Sequence, residues 1–192
     1  SIHLNHGGTE MGQGLFTKVA AVAASVFGQP MEAVKITATD TGKVPNTSAT
    51  AASSGSDLNG MATRNACLTI RARLAEFAAE QWQTTPDLVV FRDGLVDVNG
   101  TEVAFKELIN MAYMARISLS AIGFYATPTI EWDRIAGKGN PFFYFAYGAS
   151  VTEVAVDTLT GENRILRADV LHDCGKSLNP ALDIGQIEGG FV

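Results

Sequence analysis

Cysteine is scarce: the 192-residue sequence has two, Cys67 and Cys174, far apart and each without a C-x-x-C partner or a histidine at metal-ligand spacing. That argues against a disulfide framework or a structural zinc site and leaves reduced thiols as the expectation. Charge is scarce as well. Charged residues make up 18% of the chain and the net charge is −6, so no basic face is on offer to nucleic acid or to an anionic membrane. With 46% apolar residues beside so little charge, part of the surface is expected to face other protein. No apolar run reaches the length of a membrane span, and the N-terminus lacks the basic-then-apolar order of a signal peptide, which points to a cytoplasmic protein.

A convincing set of reactive side chains is missing too. His172, Asp173 and Cys174 are adjacent, but neighbours in an extended strand face opposite ways, so His172 and Cys174 share a side and Asp173 does not. Glu10 and Glu188 are candidate bases, although a carboxylate near a helix end is more often a capping group. His3 and His6 lack a third metal ligand.

What is present is a cradle. Ser1-Ile2-His3-Leu4-Asn5 reads as a strand, His6-Gly7-Gly8-Thr9-Glu10-Met11-Gly12-Gln13-Gly14 as a glycine-rich turn, and Leu15 to Phe27 as a helix with Leu15, Val19, Val22, Ala23 and Val26 at helical spacing. The glycines let backbone approach a ligand, and the free N–H groups of the first helical turn attract hydrogen-bond acceptors or negative charge. The turn fits neither a P-loop nor the dinucleotide fingerprint, which leaves a ligand other than an ordinary nucleotide, or a tight turn needing positive φ.

Residues 34–40 alternate as a strand, so the chain starts β-α-β. Residues 41–57 are almost wholly small, hydroxyl-bearing or turn-forming; they read as a linker or as a second cradle whose Ser and Thr side chains cap the next helix. That helix runs from about Asp57 to Gln83. A hairpin turns at Asp93-Gly94 between 88–91 and 95–98, Thr101 to Arg116 reads as a shorter helix, and 117–125 as an alternating strand. The aromatic run Phe142-Phe143-Tyr144-Phe145-Ala146-Tyr147-Gly148 fits a buried strand better than a substrate wall. A second hairpin joins 151–157 to 164–171, and a last helix opens near Pro180 with Asn179 as its cap. The ends, Ser1 and Gly189-Gly190-Phe191-Val192, read as those of an excised piece.

Several stretches in this order resemble the molybdenum-binding large subunit of the xanthine dehydrogenase family: residues 6–14, Val44-Pro45-Asn46-Thr47-Ser48-Ala49-Thr50-Ala51-Ala52-Ser53, Asp57-Leu58-Asn59-Gly60, 139–148 and 177–189. The resemblance covers nearly the whole chain. It implies an α+β fold of mixed sheets with packed helices, the molybdenum cofactor-binding domain of the xanthine oxidase family; the helix-bearing halves with strand hairpins, 1–100 and 101–192, are candidate related lobes. It also implies a molybdopterin whose dithiolene, rather than the protein, holds the metal. Cofactor contacts fall by motif position on Met11, Gly12, Gln13, Gly14, Thr50, Ala51, Ala52, Ser53, Ser54 and Gln186. The Gln13 amide is expected beside a metal-bound oxygen, and Ala52 is expected to matter by being small.

In that family an electron-poor carbon is hydroxylated with oxygen from water, a glutamate acts as base, and electrons leave through iron–sulfur centres and FAD on other domains or subunits. The base and the substrate-orienting motifs lie outside these residues, so the piece alone is expected to be inactive and without cofactor. Gly123-Phe124-Tyr125-Ala126-Thr127-Pro128 looks more like xanthine dehydrogenases than aldehyde oxidases, and His172-Asp173-Cys174-Gly175 looks like bacterial members. The implied partners are a purine or N-heterocycle substrate, the rest of the large subunit, an iron–sulfur/flavin subunit and NAD as electron acceptor. An aldehyde oxidase-like or other N-heterocycle molybdenum hydroxylase and a non-catalytic scaffold domain are the alternatives.

Overall fold

The expected β-α-β start is what forms. In the computed structural model, which describes residues 1–43, 47, 49–51 and 53–192, β1 (Ile2–Leu4) pairs in parallel with β2 (Val34–Ile36), Ile2 opposite Val34 and Leu4 opposite Ile36. Parallel strands need a crossover, and α1 (Leu15–Phe27) supplies it. Its buried residues Leu15, Val19, Ala23 and Phe27 recur every four positions and form one stripe into the core. Gly28, left-handed at φ 59°, ends the helix: the Gln29 N–H bonds the Ala24 carbonyl at 2.9 Å and the Gly28 N–H the Ser25 carbonyl at 3.3 Å, the paired bonds of a Schellman stop.

Across α1 lies α2 (Gly55–Gln81), the longest helix at 27 residues. Gly60 faces α1, where a Cβ would make an ordinary contact with Val22 at 3.7 Å. Beyond α2, β3 (Val89–Arg92), β4 (Leu95–Val98) and β5 (Thr101–Ala104) form an antiparallel sheet in that order. Val89, Phe91, Val96, Val98 and Val103 turn inward to join Leu74, Phe77 and the α1 stripe in one core. α3 (Phe105–Met114) adds Leu108 and Ala112.

Two sequence expectations change here. Residues 101–104 are a strand rather than the first turn of a helix, because Val103 pairs opposite Val96 and shares its buried face. Residues 117–125 join no sheet. They run along α2, where Arg73 Nη1 donates to the carbonyls of Ser118 (3.3 Å) and Ser120 (2.9 Å) and Asn65 Nδ2 to that of Phe124 (2.9 Å). Helix side chains thus replace a neighbouring strand as hydrogen-bond partners.

The described residues divide into two compact units, Ser1–Ala126 and Thr127–Val192. The first unit extends past α3 because α3 packs on α2 and β4 and 117–125 is tied to α2. In the second unit β6 (Glu131–Asp133) and β7 (Lys138–Asn140) form a short hairpin. β8 (Tyr147–Val156) and β9 (Asn163–Asp173) form a long antiparallel ribbon, and α4 (Pro180–Phe191) follows. The aromatic run is not a buried strand: Phe142 to Phe145 precede β8 and are exposed. Pro141 has no N–H with which to continue the β7 ladder, and pairing resumes only at Tyr147 opposite Asp173. Among the described residues no helix is long and apolar enough to cross a membrane.

Candidate functional site

The glycine turn is pressed between the starts of α1 and α2. A Cβ at Gly7 would collide with the Thr47 hydroxyl, and one at Gly8 would lie 2.5 Å from Leu15 Cδ2 and 2.8 Å from Asn59 Nδ2. Close approach, rather than unusual φ, therefore favours glycine at these two positions, where a Cβ would push neighbouring side chains aside. His6 anchors the turn from below: it is buried, edge-on to Phe16 at 5.0 Å, and accepts the Gly8 N–H on Nδ1 at 3.1 Å. That bond places the neutral ring's proton on Nε2. Burial pushes the His6 pKa down, while Asn59 and Glu10 nearby work the other way. Asn59 is close enough to favour the charged ring, yet no hydrogen bond of ordinary geometry reaches buried Nε2 among the described residues.

The second small-residue stretch meets the first. The Thr9 N–H donates to Thr50 Oγ1 at 2.8 Å, and the Thr39 hydroxyl donates to the Gly8 carbonyl at 2.9 Å. Ser53 holds a left-handed φ of 55°, uncommon for a residue with a side chain, and Ser54 donates from its hydroxyl to the Ala51 carbonyl at 3.1 Å. Ser54 is the N-cap of α2 but gives that helix no side-chain bond, contrary to the expected capping by hydroxyls. Asp57, in the first turn of α2, keeps a buried Oδ1 without a hydrogen-bond partner among the described residues. Ala52 lies outside the described residues, as do Val44, Pro45, Asn46 and Ser48 of the same motif.

At α1 the outcome is different from the expected open helix start. Glu10 Oε1 accepts the N–H groups of Gly12 (2.9 Å) and Gly14 (3.0 Å), and Oε2 accepts that of Phe16 (3.0 Å). The carboxylate fills the positive end of the helix that a ligand was expected to use. Desolvation works to raise the Glu10 pKa, but the backbone donors of Phe16, Gly14, Gly12 and Met11 together outweigh it and hold the group below its ordinary value. By residue type and position Glu10 reads as a candidate base or cap; a carboxylate a few residues ahead of a glycine-started helix is the signal that favours the cap.

Gln13 is held on both sides of its amide: Oε1 accepts the Met11 N–H at 2.6 Å and Nε2 donates to the Thr9 carbonyl at 2.8 Å. Met11 is exposed, and the space a Cβ would take at Gly12, where φ is 98°, is empty. Gly14, left-handed at φ 74°, is the N-cap of α1. Among the described residues one face of the turn is thus bound down and the other is open.

Because the folded-state pKa of Glu10 lies below its ordinary 4.5, the ionised group stabilises the fold above pH 4.5, and this contribution is lost as pH falls through the folded value. Glu10→Gln should therefore flatten the acid limb of the chain's stability profile below pH 4.5, measured by urea unfolding across pH.

In the second unit Gln186 lies midway along α4 and is exposed. Asn179 does not cap that helix with its side chain; its carbonyl accepts the N–H groups of Leu182 (3.1 Å) and Asp183 (2.9 Å). Asp173 accepts the Gly175 N–H at 2.8 Å and so serves the turn after β9. In the first unit, Cys67 is buried in α2 and desolvation pushes its thiol up to about 11, which makes it a protonated core group. No cluster of three or more His, Cys, Asp or Glu side chains able to hold a metal occurs among the described residues.

A family model described as the molybdopterin cofactor-binding domain matches residues 1–192. Xanthine dehydrogenase of Oryza sativa subsp. japonica is 47% identical over 192 residues, 100% of this chain and 13% of that protein. Xanthine dehydrogenase/oxidase of Mus musculus is 44% identical with the same coverage. Among solved structures, quinoline 2-oxidoreductase from Pseudomonas putida 86 aligns with a TM-score of 0.78 and 25% identity over 98% of this chain and 24% of that one. Reconstituted CO dehydrogenase from Oligotropha carboxidovorans aligns with a TM-score of 0.80 and 24% identity over 98% of this chain and 23% of that one, a likeness of fold. The chain thus spans 13% of the length of the curated relatives it matches.

Proposed function

The chain belongs to the molybdopterin cofactor-binding domain family, and on that premise we propose that it forms part of the cofactor site of a xanthine dehydrogenase-like molybdenum hydroxylase acting on purines. The observation that carries this reading is the meeting of the two small-residue stretches at the starts of α1 and α2, joined by the Thr9 to Thr50 bond of 2.8 Å. Pterin is a flat heterocycle edged with hydrogen-bond donors and acceptors. The polar groups left over around this site suit it: the buried Asp57 Oδ1 and His6 Nε2 without partners among the described residues, and the open space at Gly12.

In this reading Gly12 and Met11 lie along the cofactor, Gln13 offers it the second amide N–H, and Gly14 sets the angle at which the turn enters α1. Thr50, Ala51, Ser53 and Ser54 carry side chains small enough for a bulky ring system to lie close to backbone. The bound group supplies the two-electron chemistry that transfers water-derived oxygen to an electron-poor carbon. The chain's own part is to bind and orient it. The rest of the large subunit supplies the base and the substrate contacts, and iron–sulfur and flavin centres carry electrons to NAD. Exposed apolar side chains on both strands of the second unit's ribbon, among them Val151, Val154, Ile165 and Leu171, support a covering by that remaining protein.

The test is the molybdenum and pterin content of the full-length protein, purified from a host that loads another molybdenum hydroxylase. Near-stoichiometric metal and pterin are expected, with about a tenfold loss of both in Gln13→Ala, the effect of removing one well-placed hydrogen-bonding group. Turnover of xanthine and hypoxanthine well above that of aldehydes and other N-heterocycles would support the purine assignment. Absence of both metal and pterin would favour a scaffold that keeps the glycine turns for packing.

A further inference from the structure

We propose that Glu10 is a positioning residue for the cofactor site, an inference that rests on the molybdopterin reading above. One carboxylate accepts alternate N–H groups along the turn, at Gly12, Gly14 and Phe16, and so fixes the backbone on both sides of Gln13. The Gln13 amide is then held by Met11 and Thr9, which lie on the upstream side of the same turn. A primary amide carries two N–H hydrogens and the Thr9 carbonyl takes one. The other is left with its direction already set. Glu10 also faces the helix start, so the dipole of α1 binds a group of the protein itself rather than a group of the ligand. A turn ordered before the ligand arrives does not have to be ordered at the ligand's cost.

The experiment compares the full-length holoenzyme with Glu10→Gln, Gln13→Ala and the double variant, reading molybdenum and pterin per polypeptide and the thermal midpoint of each cofactor-free form. Glu10→Gln keeps size but sets a donor against one of the N–H groups the carboxylate accepts. About a tenfold drop in cofactor retention is expected, with a cofactor-free midpoint within a few degrees of the parent. The double variant should retain as much cofactor as Gln13→Ala alone, because both changes act through one amide. Losses that multiply would show Glu10 acting apart from Gln13 and would overturn the proposal. So would full retention in Glu10→Gln beside a loss in Gln13→Ala, or full retention in Gln13→Ala itself. A parent lacking metal and pterin would instead remove the underlying reading, and the proposal with it. Should Glu10→Gln not fold, hydrogen exchange on the unsubstituted cofactor-free protein decides. Slow exchange at the Gly12, Gly14 and Phe16 amides is expected; open-loop rates that slow only on cofactor binding would overturn it.

Discussion

Gly28→Ala should destabilise this chain by about 3 kcal/mol, combining a left-handed alanine with a steric clash in a packed interior. The residue sits at φ 59°, where a Cβ is strained by its own backbone. That Cβ would also lie 2.5 Å from Arg92 N and 2.6 Å from Arg92 Cα and Phe91 C. The atoms it meets are β3 backbone, which cannot swing aside as a flexible side chain can. The same glycine accepts the Gly94 N–H at 2.7 Å, so moving it away from β3 breaks the bond that ties the end of α1 to the β3–β4 turn. The measurement is the urea midpoint of the chain at unchanged slope. An unchanged midpoint would mean that α1 can end elsewhere and that this contact does not set where it docks.

A change of similar size is expected in the core. Leu74, on α2, is fully buried at 0% exposure and belongs to the cluster that includes Leu15, Val19 and Phe27 of α1. Leu74→Ala removes apolar contacts and leaves a cavity that surrounding side chains fill only in part, a cost of about 3 kcal/mol. Its neighbours along α2, Ala75, Ala78 and Ala79, are already small and buried, so they have little side chain with which to collapse into the space. Urea unfolding of the variant gives the loss, and hydrogen exchange shows where it is felt. Faster exchange in α1 and in the 6–14 turn together would demonstrate that the packing of α1 on α2 holds the site in place. Faster exchange confined to α2 would show that the turn is held by its own hydrogen bonds.

Those two results bear on why the fold was easier to read than the site. The β-α-β start, the long helix, the hairpin at Asp93-Gly94 and the second-unit ribbon all announce themselves through short-range periodicity and turn chemistry. The segments that depart from their sequence pattern are those whose state depends on a distant partner. Residues 117–125 alternate like a strand, yet the side chains that satisfy their carbonyls, Arg73 and Asn65, lie about fifty residues away on a helix. Residues 101–104 run into the helix they precede with no glycine or proline between, and only pairing with β4 makes them a strand. The aromatic run at 142–145 favours a sheet by composition but follows a proline that cannot extend one.

The site divides in the same way. By itself the sequence determined that small residues gather ahead of two helices, that a carboxylate and an amide lie within the first glycine turn, and, by resemblance, the family to which such turns belong. These follow from residue type and order, because glycine, serine and threonine permit close approach wherever they stand. Only the tertiary structure decided which of these side chains caps a helix start. At α1 the Glu10 side chain reaches three backbone N–H groups and closes it, while at α2 Ser54 turns its hydroxyl back to Ala51 and caps nothing. Sequence spacing allows either side chain to cap. The choice rests on backbone dihedrals and on the packing of α1 against α2, which set where each side chain can reach.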